Sequence, residues 1–334
     1  MADRYVEIHN SPTGFGDARP TALQIIQDED LIGKLSGSVI LVTGCSSGIG
    51  LATSKALYQT GATLYLTARD LTKAKWALGE EIVSSSRVHL LELDLGSLSS
   101  VRKCAQEFLS QEKTLNILIA SAGVMGDPEG RTEDGFETQL GTNHLSHFLL
   151  FNLLKPTLLA AGKSRVVFVS STSHRSSPYP DFSNLNLEGN YNPWIAYGQS
   201  KLFNTWTANE IDRRYQAQGI RAFSLQPGLV VDSNLGKHMS EEIKQGMLAN
   251  EDLRKIFKNS EQGAATSVWA ALAAGLEGKG GLYLEDCQIA GKWGEWKGSD
   301  EIAGGYGELA YNEEGEKKLW EVSSQLVDIK DNAL

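Results

Sequence analysis

Val39-Ile40-Leu41-Val42 is an apolar run with no polar interruption. A strand with one face in water alternates, so an unbroken run bounded by turn residues predicts a strand buried on both faces, as in a parallel sheet. The signature returns at 63–67, 88–93, 115–120, 165–170 and 220–225, with a last candidate at 281–284. Helical stretches fill the intervals, at 49–59, 71–84, 98–111, 137–159, 196–216 and 262–272. Regular alternation of the two element types requires right-handed crossovers, which predicts an α/β fold: a doubly wound parallel sheet of about seven strands with helices on both faces. One such domain can occupy most of the 334 residues.

Charge and cysteine usage narrow the function. A formal net charge of -10, with no cationic run, excludes the basic footprint that nucleic acid requires. Cys45, Cys104 and Cys287 are too few and too scattered for a disulfide framework or a metal site, which fits a reducing, cytoplasmic setting. Residues 1–20 lack the basic start and apolar core of a secretory signal. The most apolar helix, 148–161, is interrupted by Asn152, Lys155 and Pro156 and is too short to span a bilayer, so no integral membrane span is expected.

The first strand runs into Thr43-Gly44-Cys45-Ser46-Ser47-Gly48-Ile49-Gly50 and then a helix. Glycines let backbone approach a pyrophosphate, while the helix N-terminus supplies free amides and a positive dipole. The strand-turn-helix context lifts this pattern above a chance glycine cluster and makes the fold Rossmann-type. Gly44, Ser46, Ser47, Gly48, Ile49 and Gly50 are the candidate dinucleotide contacts. The second strand ends in Ala68-Arg69, where an NAD site places an acid on the ribose 2'-hydroxyl. Ala68 withholds that acceptor and Arg69 offers a guanidinium suited to a 2'-phosphate, so the expected cofactor is NADP(H). Asp94, followed by Leu95 at the end of the third strand, could accept from the adenine amino group or cap the next helix.

Tyr197 and Lys201 lie one helical turn apart on one face. A phenol with a pKa of roughly 10 needs a neighbouring cation to work as a base at neutral pH. Such a pair is common on any helix, and its weight comes from its surroundings. The fifth strand ends in Ser170-Ser171, which delivers a hydroxyl to the carboxyl edge of the sheet; Ser171 is the preferred candidate to polarise a substrate oxygen. Asn143 is an amide inside an apolar helix, a position that marks a buried water or backbone bond. His144, His147 and His174 have the spacing of core, helix-surface or loop imidazoles, and no metal is expected. Polar residues 173–193 and 237–259 break the strand-helix rhythm and are the candidate substrate loops. Trp293 and Trp296 could cover an apolar substrate or pack on the sheet edge.

Taken together, Thr43-Gly44-x-x-x-Gly48-x-Gly50, Asp94, Asn143, Ser171, Tyr197-x-x-x-Lys201 and Pro227-Gly228 resemble the short-chain dehydrogenase/reductase family, most of all its retinol dehydrogenase-like group, over roughly 35–284. The resemblance implies a tetrad in which Tyr197 transfers the proton, Ser171 holds the substrate oxygen, Lys201 bonds the nicotinamide ribose and Asn143 anchors a relay water. It also implies that Ala122 and Gly123 border the cofactor and that Pro227, Gly228 and Val230 face the carboxamide. Two departures stand out. Ala120-Ser121-Ala122-Gly123 replaces the usual Asn-Asn-Ala-Gly, and Asp232 or Ser233 must serve for the usual threonine after Pro-Gly. The organisation expected is an extension at 1–34, an NADP-binding catalytic domain at 35–290 and a second extension at 291–334. The expected activity is NADP(H)-dependent hydride transfer on a lipophilic ketone, aldehyde or alcohol; an epimerase or dehydratase, or an NADP-binding regulatory protein, is the alternative. A homodimer could form through the two long helices after strands four and five, and the acidic surface leaves a monomer open.

Overall fold

The structure is a computed structural model and describes residues 4–294 and 304–330. The described residues contain ten strands: β1 (Val39–Thr43), β2 (Thr63–Ala68), β3 (Val88–Glu92), β4 (Ile117–Ala120), β5 (Ser164–Val169), β6 (Ile220–Gln226), β7 (Leu229–Val230), β8 (Phe257–Lys258), β9 (Leu282–Glu285) and β10 (Gln288–Ile289). Eight make the main sheet in the order β10-β9-β6-β5-β4-β1-β2-β3, and β7 and β8 form a separate pair. All neighbours in the main sheet are parallel except the β9–β10 hairpin, which adds one short strand to those expected. The order reverses between β1 and β4, which opens a crevice at their carboxyl ends.

Each central strand is apolar throughout because both faces are covered. Leu41, Tyr65, Leu118, Val166 and Phe168 enter one core with helices Leu98–Gln111, Ser146–Ala160 and Pro193–Tyr215. Ile40, Val42, Leu64, Leu66, Ile119 and Val167 enter the other with helices Gly48–Tyr58 and Ala265–Leu272. The helix expected at 71–84 divides at Gly79, whose φ of 88° breaks the right-handed run. The one expected at 137–159 opens with a π-helical turn, Leu140–Leu145, before the α-helix Ser146–Ala160.

The flanking segments join these cores. Ile25 and Ile26 of helix Ala22–Asp28 are buried against the same core as helix Ala265–Leu272. Leu319 and Trp320 of helix Glu313–Leu326 are buried in the core that contains helix Pro193–Tyr215, and Glu316 bonds Asn209 and Arg213 across the contact. The chain's own C-terminal helix therefore covers a face of the long helix that the sequence had offered for subunit pairing. Among the described residues no helix is long and apolar enough to cross a membrane.

Candidate active site

The glycine turn is shaped by contacts that leave no room for a side chain. Gly44 has φ 81°, and a Cβ there would sit 2.8 Å from the Ala122 Cβ; a methyl on Gly50 would collide with the Gly44 carbonyl. Helix Gly48–Tyr58 begins here, and its N-cap residue Ser47 makes no side-chain cap, so the first-turn amides stay available. Ile49 meets Val230 across Gly263, and Ser233 lies against Gly48, so the segment after Pro227-Gly228 crosses the glycine turn. Asp232 is committed elsewhere, accepting from the Ser260 amide and hydroxyl, which leaves Ser233 beside the turn. Arg69 is exposed at the end of β2 and has no hydrogen bond or ion pair among the described residues. Asp94 bonds the Gly96 amide through one carboxylate oxygen at 2.8 Å, while Ser97 caps the following helix. Leu95 is buried and its carbonyl accepts from Ser146. These features fit a dinucleotide: a cradle that added Cβ atoms would fill, open amides for pyrophosphate, and an unpaired cation.

At the mouth of β5 the two adjacent serines separate in role. Ser170 is buried and donates to the Lys201 carbonyl at 2.7 Å, so its hydroxyl is occupied in joining β5 to helix Pro193–Tyr215. The Ser171 hydroxyl accepts from the Ser173 amide at 3.1 Å and donates to the Ser173 hydroxyl at 3.3 Å, and it neighbours the phenol of Tyr197. Burial pushes that phenol up to about 12, and the Ser171 hydroxyl pulls in the opposite direction. Lys201 Nζ lies 5.6 Å from the Tyr197 ring centre and donates to the Val169 carbonyl at 3.0 Å. Burial alone lowers this lysine to about 8. Asn143 sits in the π-helical turn; its amide bonds the Val124 backbone in both directions and the Ser200 hydroxyl. A Cβ on Gly123 would lie 3.0 Å from Asn143 Oδ1 and 3.4 Å from Lys201 Nζ, so this glycine keeps open the space where amide and ammonium meet.

The model of the short chain dehydrogenase family matches residues 38–244. The chain belongs to the short chain dehydrogenase family. It is 46% identical over 332 residues to a Penicillium roqueforti protein named short-chain dehydrogenase/reductase prx1, covering 98% of this chain and 96% of the relative. It is also similar to retinol dehydrogenase 12 of Homo sapiens, 38% identical over 89% of this chain and 88% of the relative. A Mycobacterium paratuberculosis protein of known structure superposes with a TM-score of 0.67 at 30% identity, over 90% of this chain and 97% of the other.

Several residues that shape the site of this short chain dehydrogenase escaped the sequence reading. The largest group is centred on His147. Thr43 Oγ1 accepts the Ser121 and Ala122 amides at 2.9 and 3.1 Å and lies 2.9 Å from His147 Nε2, while His147 Nδ1 is 3.0 Å from the Asn143 carbonyl. A carbonyl only accepts, so Nδ1 carries the proton and Nε2 accepts from the threonine hydroxyl. Burial holds this imidazole neutral, at about 4. Support of β4 thus passes through a threonine and a histidine, which answers the missing asparagines at 120–121. The usable signal was Asn143 and His147 at helical spacing opposite a threonine ending β1. Of the two tryptophans, Trp293 is half exposed with Arg175 over its ring at 5.1 Å, and Trp296 lies outside the described residues.

Proposed function

We propose that this short chain dehydrogenase is an NADP(H)-dependent oxidoreductase acting on a lipophilic ketone or aldehyde, or on the corresponding alcohol. The observation that carries the reading is the convergence of Ser171, Tyr197, Lys201 and Asn143 beside a glycine turn that a dinucleotide would fill. A nicotinamide dinucleotide, when held by the glycine turn and Lys201, would supply or receive the hydride. Ser171 holds the carbonyl oxygen; Tyr197 Oη, protonated at neutral pH, delivers the proton to that oxygen. A phenol held as an acid arms the site for reduction. Lys201 would bond the nicotinamide ribose, and its charge is present only below about 8. For reduction, kcat/KM therefore falls as pH rises through about 8 in the free enzyme. Arg69 and Ala68 favour the 2'-phosphate of NADP(H), and Ser233 stands in for the threonine after Pro-Gly.

Lipophilic substrate chemistry is supported by apolar side chains on the segments that flank the site. Trp194 packs over Gly126 beyond β4, and Val231 and Ile243 are exposed on the segment after Pro227. The test is NADPH consumption over a panel of aliphatic and aromatic carbonyls by the wild type and Tyr197→Phe. Loss of the donor is expected to lower turnover by roughly 10²–10⁴-fold without altering the fold. A Tyr197→Phe protein that turned over at the parent rate would refute the mechanism.

A further inference from the structure

Residues 304–311 cross the site from outside and touch all three of its parts. Trp206 Nε1 and Asn209 Nδ2, on the helix that carries Tyr197, donate to the carbonyls of Leu309 and Ala310 at 2.6 and 2.9 Å. The Gly305 amide donates to Glu285 Oε2 at 2.7 Å; the other oxygen of Glu285 bonds Gln226, which in turn accepts from the Gly228 amide at 2.8 Å. The third contact reaches Ser171. Gly307 N–H donates to His174 Nε2 at 2.8 Å, and His174 Nδ1 lies 2.6 Å from the Ser171 carbonyl.

The chemistry of this third contact leaves one arrangement. A backbone amide only donates, so Nε2 must be bare, and the single imidazole proton must sit on Nδ1 and point at the Ser171 carbonyl. One neutral ring thus reads the position of residue 307 and passes it to the residue whose hydroxyl neighbours Tyr197. The ring is buried and packs on Tyr283 at 4.8 Å, so it has no freedom to turn away. The approach is tight on the other side too, because a Cβ on Gly307 would lie 3.1 Å from the Arg175 Cα. Arg175 also donates to the Gly304 carbonyl at 3.1 Å, clamping the turn that follows Ser171.

We infer that residues 304–311 form a strap that sets the Ser171 hydroxyl against Tyr197, with His174 as the positioning residue that transmits it. The inference rests on the proposed role of Ser171 in hydride-transfer chemistry. His174 does not touch the reacting atoms; it acts through the Ser171 carbonyl.

The test uses the full-length protein. His174→Phe keeps a ring on Tyr283 and removes both bonds; kcat for carbonyl reduction is expected to fall roughly ten- to hundredfold while the NADPH Kd stays within about twofold. A merely structural histidine would move both together. Gly307→Ala, which wedges the strap away from Arg175, is expected to lower kcat by roughly three- to tenfold, and the double variant to be no slower than His174→Phe, because the route is already cut. Unchanged kcat in Gly307→Ala, or multiplicative losses in the double variant, overturn the inference. If His174→Phe fails to fold, Gly307→Ala and His174→Asn, which keeps a donor for Ser171 but loses the acceptor for residue 307, decide it: kcat should fall in both with the NADPH Kd little changed, and unchanged kcat in either overturns the inference. Ser171→Ala run in parallel separates the two levels. Full turnover in Ser171→Ala refutes the proposed site itself, whereas an inactive Ser171→Ala beside a fully active His174→Phe refutes only the strap.

Discussion

The two walls of the cleft are held by different means. On the wall made by β1, β2 and β4, the chain approaches itself closely: Gly44 against Ala122, Gly50 against the Gly44 carbonyl, and the amides of 121 and 122 on Thr43. The opposite wall is made of loops held by side chains reaching far along the sequence. His174 is 133 residues from Gly307, and Trp206 is 103 from Leu309. Close backbone packing leaves little slack and suits a ligand with a fixed shape, such as a dinucleotide. Side-chain braces can be exchanged one at a time without disturbing the sheet, which suits a wall that must fit a particular substrate.

Lys201 belongs to both walls, and its replacement should give the largest effect. The folded protein holds its proton less tightly than the unfolded chain, since burial lowers it from 10.5 to about 8. The resulting penalty is full below 8, fades between 8 and 10.5 and is gone above, so this group makes stability rise with pH across that window. Lys201→Met should therefore stabilise the protein at pH 7 by on the order of 3 kcal/mol, less about 1 kcal/mol for the lost bond to Val169, while turnover collapses. Urea unfolding as a function of pH checks this. A variant less stable than the parent at pH 7 would show that the charge is better solvated than its burial indicates.

Gly50 tests the packed wall. A methyl at this position should displace the first turn of helix Gly48–Tyr58 from the Gly44 carbonyl, costing about 1–3 kcal/mol of stability. Cofactor affinity should fall by about 10²-fold as the first-turn amides move. Calorimetry of NADPH binding to Gly50→Ala reads the second effect directly. Undiminished affinity would mean that this wall has more give than its contacts imply.

This difference between the walls also decides what could be read in advance. β1, β4 and β5 announced themselves as continuous apolar runs, and the glycine turn as a pattern of neighbours, because those constraints act over a few residues. Ser171, Tyr197 and Lys201 were readable for the same reason: a strand end and one helical turn position them. The choice of Ser171 over Ser170 rests on which hydroxyl Lys201 and Thr205 occupy, a tertiary fact. His147 and His174 were visible only as lone imidazoles, since their partners are 104 and 133 residues away and one of those partners is a backbone amide. No residue pattern marks a backbone amide as a partner. The π-helical turn at Asn143 was likewise hidden, because its sequence has ordinary helical periodicity.

Arg69 sharpens the comparison at the edge of the packed wall, where a side chain rather than backbone is proposed to read the cofactor. A guanidinium-phosphate contact at an exposed site contributes about 1.5–3 kcal/mol. Arg69→Leu should thus weaken NADPH binding by roughly ten- to hundredfold and leave NADH binding within about twofold. Equal losses for both dinucleotides would place Arg69 outside cofactor discrimination.

The smallest effect is expected at His147, where the packed wall depends on a side chain that reaches between elements. An asparagine there can keep a donor for the Asn143 carbonyl, four residues back, but leaves the Thr43 hydroxyl without its acceptor. Thr43 would still receive the amides of 121 and 122, so the turn keeps its shape and only one buried hydroxyl loses a partner. His147→Asn should therefore cost about 1 kcal/mol in urea unfolding and change the NADPH Kd by less than about twofold. If the Kd instead rises as far as in Gly50→Ala, the packed wall also relies on a long-range brace, and the contrast between the two sides of the cleft disappears.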